Sequence, residues 1–172
     1  GCGGLLAKYG NQCDVILLTD GAFNGDKNIQ KIREDEFTKV MNFLKIENFS
    51  FMRAKDTQLV EAYDLFEKID FSKYNYVIMP HPFDPHKDHV VPQAFFKKLK
   101  NKKHLKAKAV YYEVWGTMNE PTNFVDISDV VKTKRKAIEM YESQKNINYA
   151  GRILGLNHYR GMRHNVEFAE VY

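Results

Sequence analysis

Tyr76-Val77-Ile78-Met79 runs directly into Pro80-His81-Pro82-Phe83-Asp84-Pro85-His86-Lys87-Asp88-His89. The short apolar run reads as a buried strand, and the polar segment is the loop at its C-terminal end. Open parallel sheets carry ligands and chemistry at that edge. Between His81 and His89 stand three histidines and two aspartates. Imidazoles and carboxylates crowded there have the character of a metal site with an acid–base helper. One cluster rarely fills a metal shell, so further ligands are expected elsewhere in the protein.

Outward from this loop, helix-like and strand-like segments alternate, which predicts an α/β layer fold. Gly3 to Tyr9 reads as the tail of a helix closed by Gly10, and Cys13 to Leu18 as an apolar strand. Thr19 to Asp26 follows as a loop. Ile29 to Leu44 is amphipathic, with Ile32, Phe37, Val40 and Met41 on one face. Phe49 to Met52 is a short strand and Thr57 to Ile69 a helix. A further helix runs from His89 or Val90 to Lys100, with Pro92 placed in its first turn. Ala107 to Val114 reads as a strand. Ser128 or Asp129 caps a long helix reaching Gln144. Tyr149 to Tyr159 is helical, and Val166 to Val171 a last strand. A doubly wound sheet normally opens with a strand before its first glycine-rich turn. Here Gly1-Cys2-Gly3-Gly4 stands first, so the first strand is expected to be missing from this sequence.

The 172 residues suit a single domain spanning 1–172, and 44% hydrophobic content supports a real core. No run of about 20 apolar residues is present, so no membrane span is expected. The two cysteines, Cys2 and Cys13, lack metal-type spacing and read as thiols of a reducing, cytoplasmic compartment. The net charge of +4 is concentrated between Lys97 and Lys106. No aromatic residues interleave these lysines for base stacking, so they read as a solvated helix end and not a nucleic-acid site.

The motif His86-Lys87-Asp88-His89 carries the chemistry. Histidines at i and i+3 converge if the second begins a helix, and an adjacent carboxylate can orient one of them. A plain polar loop in which Asp88 caps the helix is the competing reading. Asp20 ends the Cys13 to Leu18 strand on the same edge if the strands are parallel. It either touches substrate or simply makes an Asp-Gly turn. Arg33 lies beside Glu34, Asp35 and Glu36, as a substrate contact or a surface ion pair. Glu113 and Trp115 end the next strand, where Trp115 stacks on a sugar ring or packs in the core. Asn157-His158-Tyr159-Arg160-Gly161 lines a pocket or terminates its helix.

These residues carry a family resemblance. GCGGLLAKYG, ILLTDG, IREDEFTKVMNFL, PFDPHKDH, YYEVW, DISDVVKTKRKAIEMYESQ and ILGLNHYRGM resemble, in order, segments of the PIG-L/LmbE-like N-acetylglucosaminyl deacetylases. PHKDH and LGLNHYRG are the more specific matches. The resemblance implies a Rossmann-like fold with a mostly parallel sheet flanked by helices and a metal at the strand C-termini. It implies zinc as cofactor with His89 as a ligand. His86 becomes the residue that stabilises the oxyanion or protonates the leaving amine, and Asp88 the carboxylate that tunes and orients it. Arg33 and Asp20 become substrate contacts, and the substrate an N-acetylated amino sugar. The family's H-P-D-D-E motif, which supplies two more ligands and the general base, is absent from the sequence and is expected directly upstream of Gly1. The 172-residue piece by itself is therefore expected to be inactive and to bind zinc poorly. A sugar-binding domain that has lost its metal and, from H-x-D-H against H-x-G-H, a nucleotidyltransferase are the competing readings.

Overall fold

A computed structural model describes residues 1–22 and 25–172. Helix α1 (Gly3–Tyr9) leads into strand β1 (Val15–Thr19), helix α2 (Lys27–Phe43) and strand β2 (Phe49–Ala54). A 3-10 turn at Leu59–Glu61 and the one-turn helix α3 (Tyr63–Phe66) precede β3 (Tyr76–Pro80) and α4 (Lys87–Lys103). Then come β4 (Lys108–Tyr112), β5 (Phe124–Asp126), α5 (Val131–Glu139), α6 (Tyr149–Met162) and β6 (Ala169–Val171). Part of the loop expected at Thr19 to Asp26, namely Phe23 and Asn24, lies outside the described residues.

The fold is α/β, as the alternating pattern predicts. β1 pairs in parallel with β2, Val15 facing Phe49 and Leu17 facing Phe51. β3 pairs in parallel with β4, Tyr76 facing Lys108 through to Pro80 facing Tyr112. Among the described residues β1 and β3 have no other strand neighbour. Side chains alternate across the β1–β2 pair, as the pleat requires. Leu17, Phe49 and Phe51 meet Phe37, Val40 and Met41 of α2 on one face. Leu18, Met52 and Ala54 meet a second core of Phe66, Phe71, Phe95, Phe96 and Leu99 on the other. Helices thus cover both faces, and each fully buried Phe contributes about 1.5–3 kcal/mol.

Several boundaries differ from the sequence expectation, each for a local reason. The helix expected from Thr57 to Ile69 breaks into the 3-10 turn and α3, because Thr57 takes a positive φ of 66° and gives its N–H to the Asp88 carboxylate. Helix α4 starts at Lys87 with His86 as its N-cap, so Pro92 sits in the second turn and not the first. The long helix expected to reach Gln144 stops at Glu139. There the Glu36 carboxylate captures the N–H and hydroxyl of Ser143. Strand β5 was unforeseen; it pairs antiparallel with β6, Val125 facing Glu170. The lysines at the end of α4 make local contacts: Lys100 with the Ala107 carbonyl, Lys102 and Lys103 with Glu67.

A buried charge pair ties the ends of the chain together. Lys134 on α5 is 1% exposed and donates to Glu170 on β6 at 2.6 Å and to Asn157 on α6 at 2.6 Å. Glu170 also accepts the N–H groups of Gly4 and Leu5 at 2.6 and 2.7 Å, closing the start of α1. Burial works to raise the Glu170 carboxyl, but Lys134, the Tyr172 hydroxyl and the Gly4 N–H outweigh it and hold it below the ordinary 4.5. A carboxylate depressed in this way contributes stability that is full above pH 4.5 and is lost as pH falls through its folded value. Two outcomes are expected in urea denaturation. Lys134→Met costs about 3–5 kcal/mol, because it strands a buried carboxylate. Glu170→Gln flattens the fall in stability below pH 4.5 relative to the parent protein.

Candidate active site

The loop after β3 begins as an extension of the sheet, with the His81 N–H on the Tyr112 carbonyl at 3.0 Å. It then turns on Asp84. The Asp84 side chain is fully buried and accepts four hydrogen bonds. Oδ1 takes the N–H of His86 and the Nδ1 of His89, both at 2.9 Å. Oδ2 takes the N–H groups of Trp115 and Gly116 at 2.9 and 3.2 Å. Burial alone would raise the carboxyl; the backbone donors and His89 together hold its pKa below the ordinary carboxylate value.

His89 takes its state from that contact. Burial pushes its pKa below the ordinary value, against the pull of Asp84. The ring is therefore neutral near pH 7, giving its Nδ1 proton to Asp84 and keeping the Nε2 lone pair. That is the form in which histidine ligates metals, with a carboxylate behind it. His86 is wired the other way. Its Nδ1 accepts the Asp88 N–H at 3.3 Å as the cap of α4, so Nε2 carries the proton in the neutral ring. The two rings lie 4.5 Å apart with 32° between their planes. One imidazole thus presents a lone pair and its neighbour an N–H.

The other expected residues fall in different places. The Asp88 carboxylate is not on His86; it accepts the N–H groups of Thr57 at 2.6 Å and Leu59 at 3.3 Å. Its position in the first turn of α4 aims it at the segment after β2, so it orients that loop, and the carboxylate that orients an imidazole here is Asp84. Asp20 accepts the N–H groups of Ala22 and Asp56 at 3.1 and 3.0 Å. Its carboxylate makes turn chemistry directly after the C-terminal end of β1. Asp56 lies between Asp20, Asp88 and His86, and burial with the Asp88 charge raises its pKa above the ordinary value. Arg33 stands apart from the expected ion pairs, since Glu34 pairs with Arg53 and Glu36 with Ser143. Its Nε is buried without a partner among the described residues. Its stem lies along Gly21, where an added Cβ would come within 3.2 Å of Cγ. Trp115 is half-exposed and meets the edge of Tyr149 at 5.8 Å.

Sequence reading passed over Asp84 and Asp56. The signal for Asp84 was present in Phe83-Asp84-Pro85-His86, because Asp before Pro favours a turn in which the carboxylate accepts the N–H two residues on. Among the described residues, His89 has an arrangement suited to a metal ligand, a free Nε2 with a carboxylate on Nδ1. Among the described residues no three His, Cys, Asp or Glu side chains converge as a metal shell. Asp84→Asn replaces an acceptor-only group by one that must present two N–H donors to donors. A loss of about 2–3 kcal/mol in thermal or urea denaturation is expected, with the His89 side-chain proton resonance lost from its hydrogen-bonded position in NMR spectra.

The fold is shared with solved structures of low sequence identity. The conserved protein TT1542 from Thermus thermophilus superposes with a TM-score of 0.80 at 21% identity, over 99% of this chain and 86% of that one. The N,N'-diacetylchitobiose deacetylase from Pyrococcus horikoshii gives 0.77 at 21% identity, over 99% and 76%. GalB, the 4-carboxy-2-hydroxymuconate hydratase from Pseudomonas putida, gives 0.67 at 18%, over 98% and 87%. A hydratase and a deacetylase on one fold show that the fold alone does not choose the reaction. Family is decided by sequence: the model for GlcNAc-PI de-N-acetylases matches residues 1–100, more than half of the chain and inclusive of the whole histidine loop, and the chain belongs to that PIG-L family.

Proposed function

We propose that the protein is a zinc-dependent N-deacetylase that hydrolyses the acetamide of an N-acetylglucosamine-type amino sugar. The observation that carries this reading is the pair of opposed histidines, His89 with a free Nε2 lone pair and His86 with a free Nε2–H, both set by hydrogen bonds on their Nδ1 atoms. Membership of the PIG-L family supports the deacetylase chemistry.

In this reading His89 is the zinc ligand that these residues supply. Bound zinc would supply Lewis acidity to the amide carbonyl and lower the pKa of water. His86 keeps its proton and donates its Nε2–H as a hydrogen bond to the carbonyl oxygen as charge develops there, while the proton taken by the departing amine comes from the attacking water. Asp84 holds His89 in the ligating tautomer. Asp88 acts by fixing the segment from Thr57 to Leu59 beside His86. Arg33 and Asp20 are the assigned contacts to the sugar. Free Cys2 and Cys13 support a cytoplasmic place of action, and no helix among the described residues is long and apolar enough to cross a membrane.

A second reading draws on the incomplete metal shell: a sugar-binding domain without catalysis. One experiment separates the two, namely acetate release from N-acetylglucosamine conjugates by the protein carrying this sequence, with zinc content measured in parallel. The deacetylase reading expects acetate release that a chelator abolishes. His89→Ala is expected to lose zinc, and His86→Ala to keep zinc while kcat falls about 10²–10⁴-fold. Glycan binding with no acetate released would establish the second reading instead.

A further inference from the structure

The geometry points to Arg160, on α6, as the positioning residue of the histidine site, although it touches neither histidine. The segment from Glu113 to Met118 leaves the end of β4 and returns on itself as a strap. Its ends are joined by the Met118 N–H on Glu113 Oε1 at 2.6 Å. Arg160 seals that join. Its Nε donates to Glu113 Oε2 at 3.1 Å, and its Nη2 donates to Glu113 Oε1 and to the Met118 carbonyl, the latter at 2.7 Å. Arg160 and Glu113 are 5% and 8% exposed, so neither charge has water as an alternative partner.

Held in this way, the strap presents two successive N–H groups, those of Trp115 and Gly116, to Asp84 Oδ2. The other oxygen of the same carboxylate holds the His86 N–H and the His89 ring. Order therefore passes from Arg160 through the strap to Asp84 and on to His89. Beyond these hydrogen bonds, Trp115 of the strap meets the edge of Tyr149 on α6. Trp115 is half-exposed. The face toward His81 is Gly116, where an added Cβ would lie 2.9 Å from His81 Nε2. That nitrogen is buried and has no hydrogen-bond partner among the described residues. No side chain fits between Gly116 and His81, and that nitrogen gives the strap no hydrogen bond; the join of Glu113, Met118 and Arg160 is what closes the strap's ends.

Trp115 is the only tryptophan among these 172 residues, so within them tryptophan fluorescence reports on the strap. In the full protein, Arg160→Met is expected to shift Trp115 emission to the red and raise its quenching by acrylamide. Amide exchange at Trp115 and Gly116 is expected to quicken by about ten-fold or more, the scale of one lost charge-assisted hydrogen bond, while β1 and β2 stay protected. Glu113→Gln tests the same clamp from its other partner: it removes the charge that holds Arg160, leaves Asp84 untouched, and is expected to give the same signature in smaller measure. Unchanged exchange and fluorescence in Arg160→Met would overturn the inference, as would an equal loss of protection across β1 and β2. Should Arg160→Met fail to fold, unchanged Trp115 signals in Glu113→Gln would overturn it. The catalytic consequence, a fall in kcat with KM retained, rests on the deacetylase reading. Loss of strap order in a protein whose parent releases no acetate would remove that reading and leave the positioning role standing.

Discussion

A single buried carboxylate, Asp84, organises the site. It has no water to solvate it, so its ionised form persists only because four donors converge on it. Those donors come from three places in the chain: the turn before α4, the ring of His89, and the strap after β4. Removing any one leaves a buried lone pair without a donor. The histidine loop and the strap therefore have one common geometry in which the carboxylate is satisfied. Each ring's Nδ1 partner decides what its Nε2 can offer: Asp84 sets the tautomer of His89, and the Asp88 N–H at the cap of α4 sets that of His86.

The same device recurs at a distance. Glu113 with Arg160 closes the strap, and Glu170 with Lys134 closes the start of α1. Helix α6 joins these two buried pairs. Asn157 takes part in the Lys134 network and Arg160 in the Glu113 network, one turn apart on the inner face of the helix. Buried pairs of this kind contribute little net stability over apolar packing, yet breaking one is costly. Their effect here is to fix the register of loops that apolar contacts alone would leave free to slide. The aromatic cores on the two faces of the sheet supply the bulk of the stabilisation and carry no such directionality.

Much of the site's framework was legible in the chain. The apolar run from Tyr76 to Met79 and the His86-Lys87-Asp88-His89 motif place the chemistry at a strand's C-terminal end, and that is where the loop lies. Asp20 follows the C-terminal end of β1, and its carboxylate takes the Asp56 N–H. What failed was the assignment of carboxylates to partners. Asp88, adjacent to both histidines in sequence, turns its side chain to Thr57 and Leu59, whereas Asp84, further off, holds His89. Sequence proximity measures separation along the backbone. In the first turn of a helix it says nothing of the direction in which a short side chain points.

Helix and strand patterning follow from the local periodicity of apolar residues, so α2, α4, α6 and the four parallel strands could be located from the residues themselves. Their ends could not. The helix expected after Thr57 was broken by Asp88, 31 residues on, and the helix expected to reach Gln144 was stopped by Glu36, 107 residues back. Strand β5 exists because β6 lies beside it. The composition and order of residues thus determined the layers, the active edge and the kinds of chemical group available there. Only the tertiary structure decided which carboxylate meets which imidazole, because a hydrogen bond depends on direction and distance in space, and those arise only when segments distant in the chain pack together.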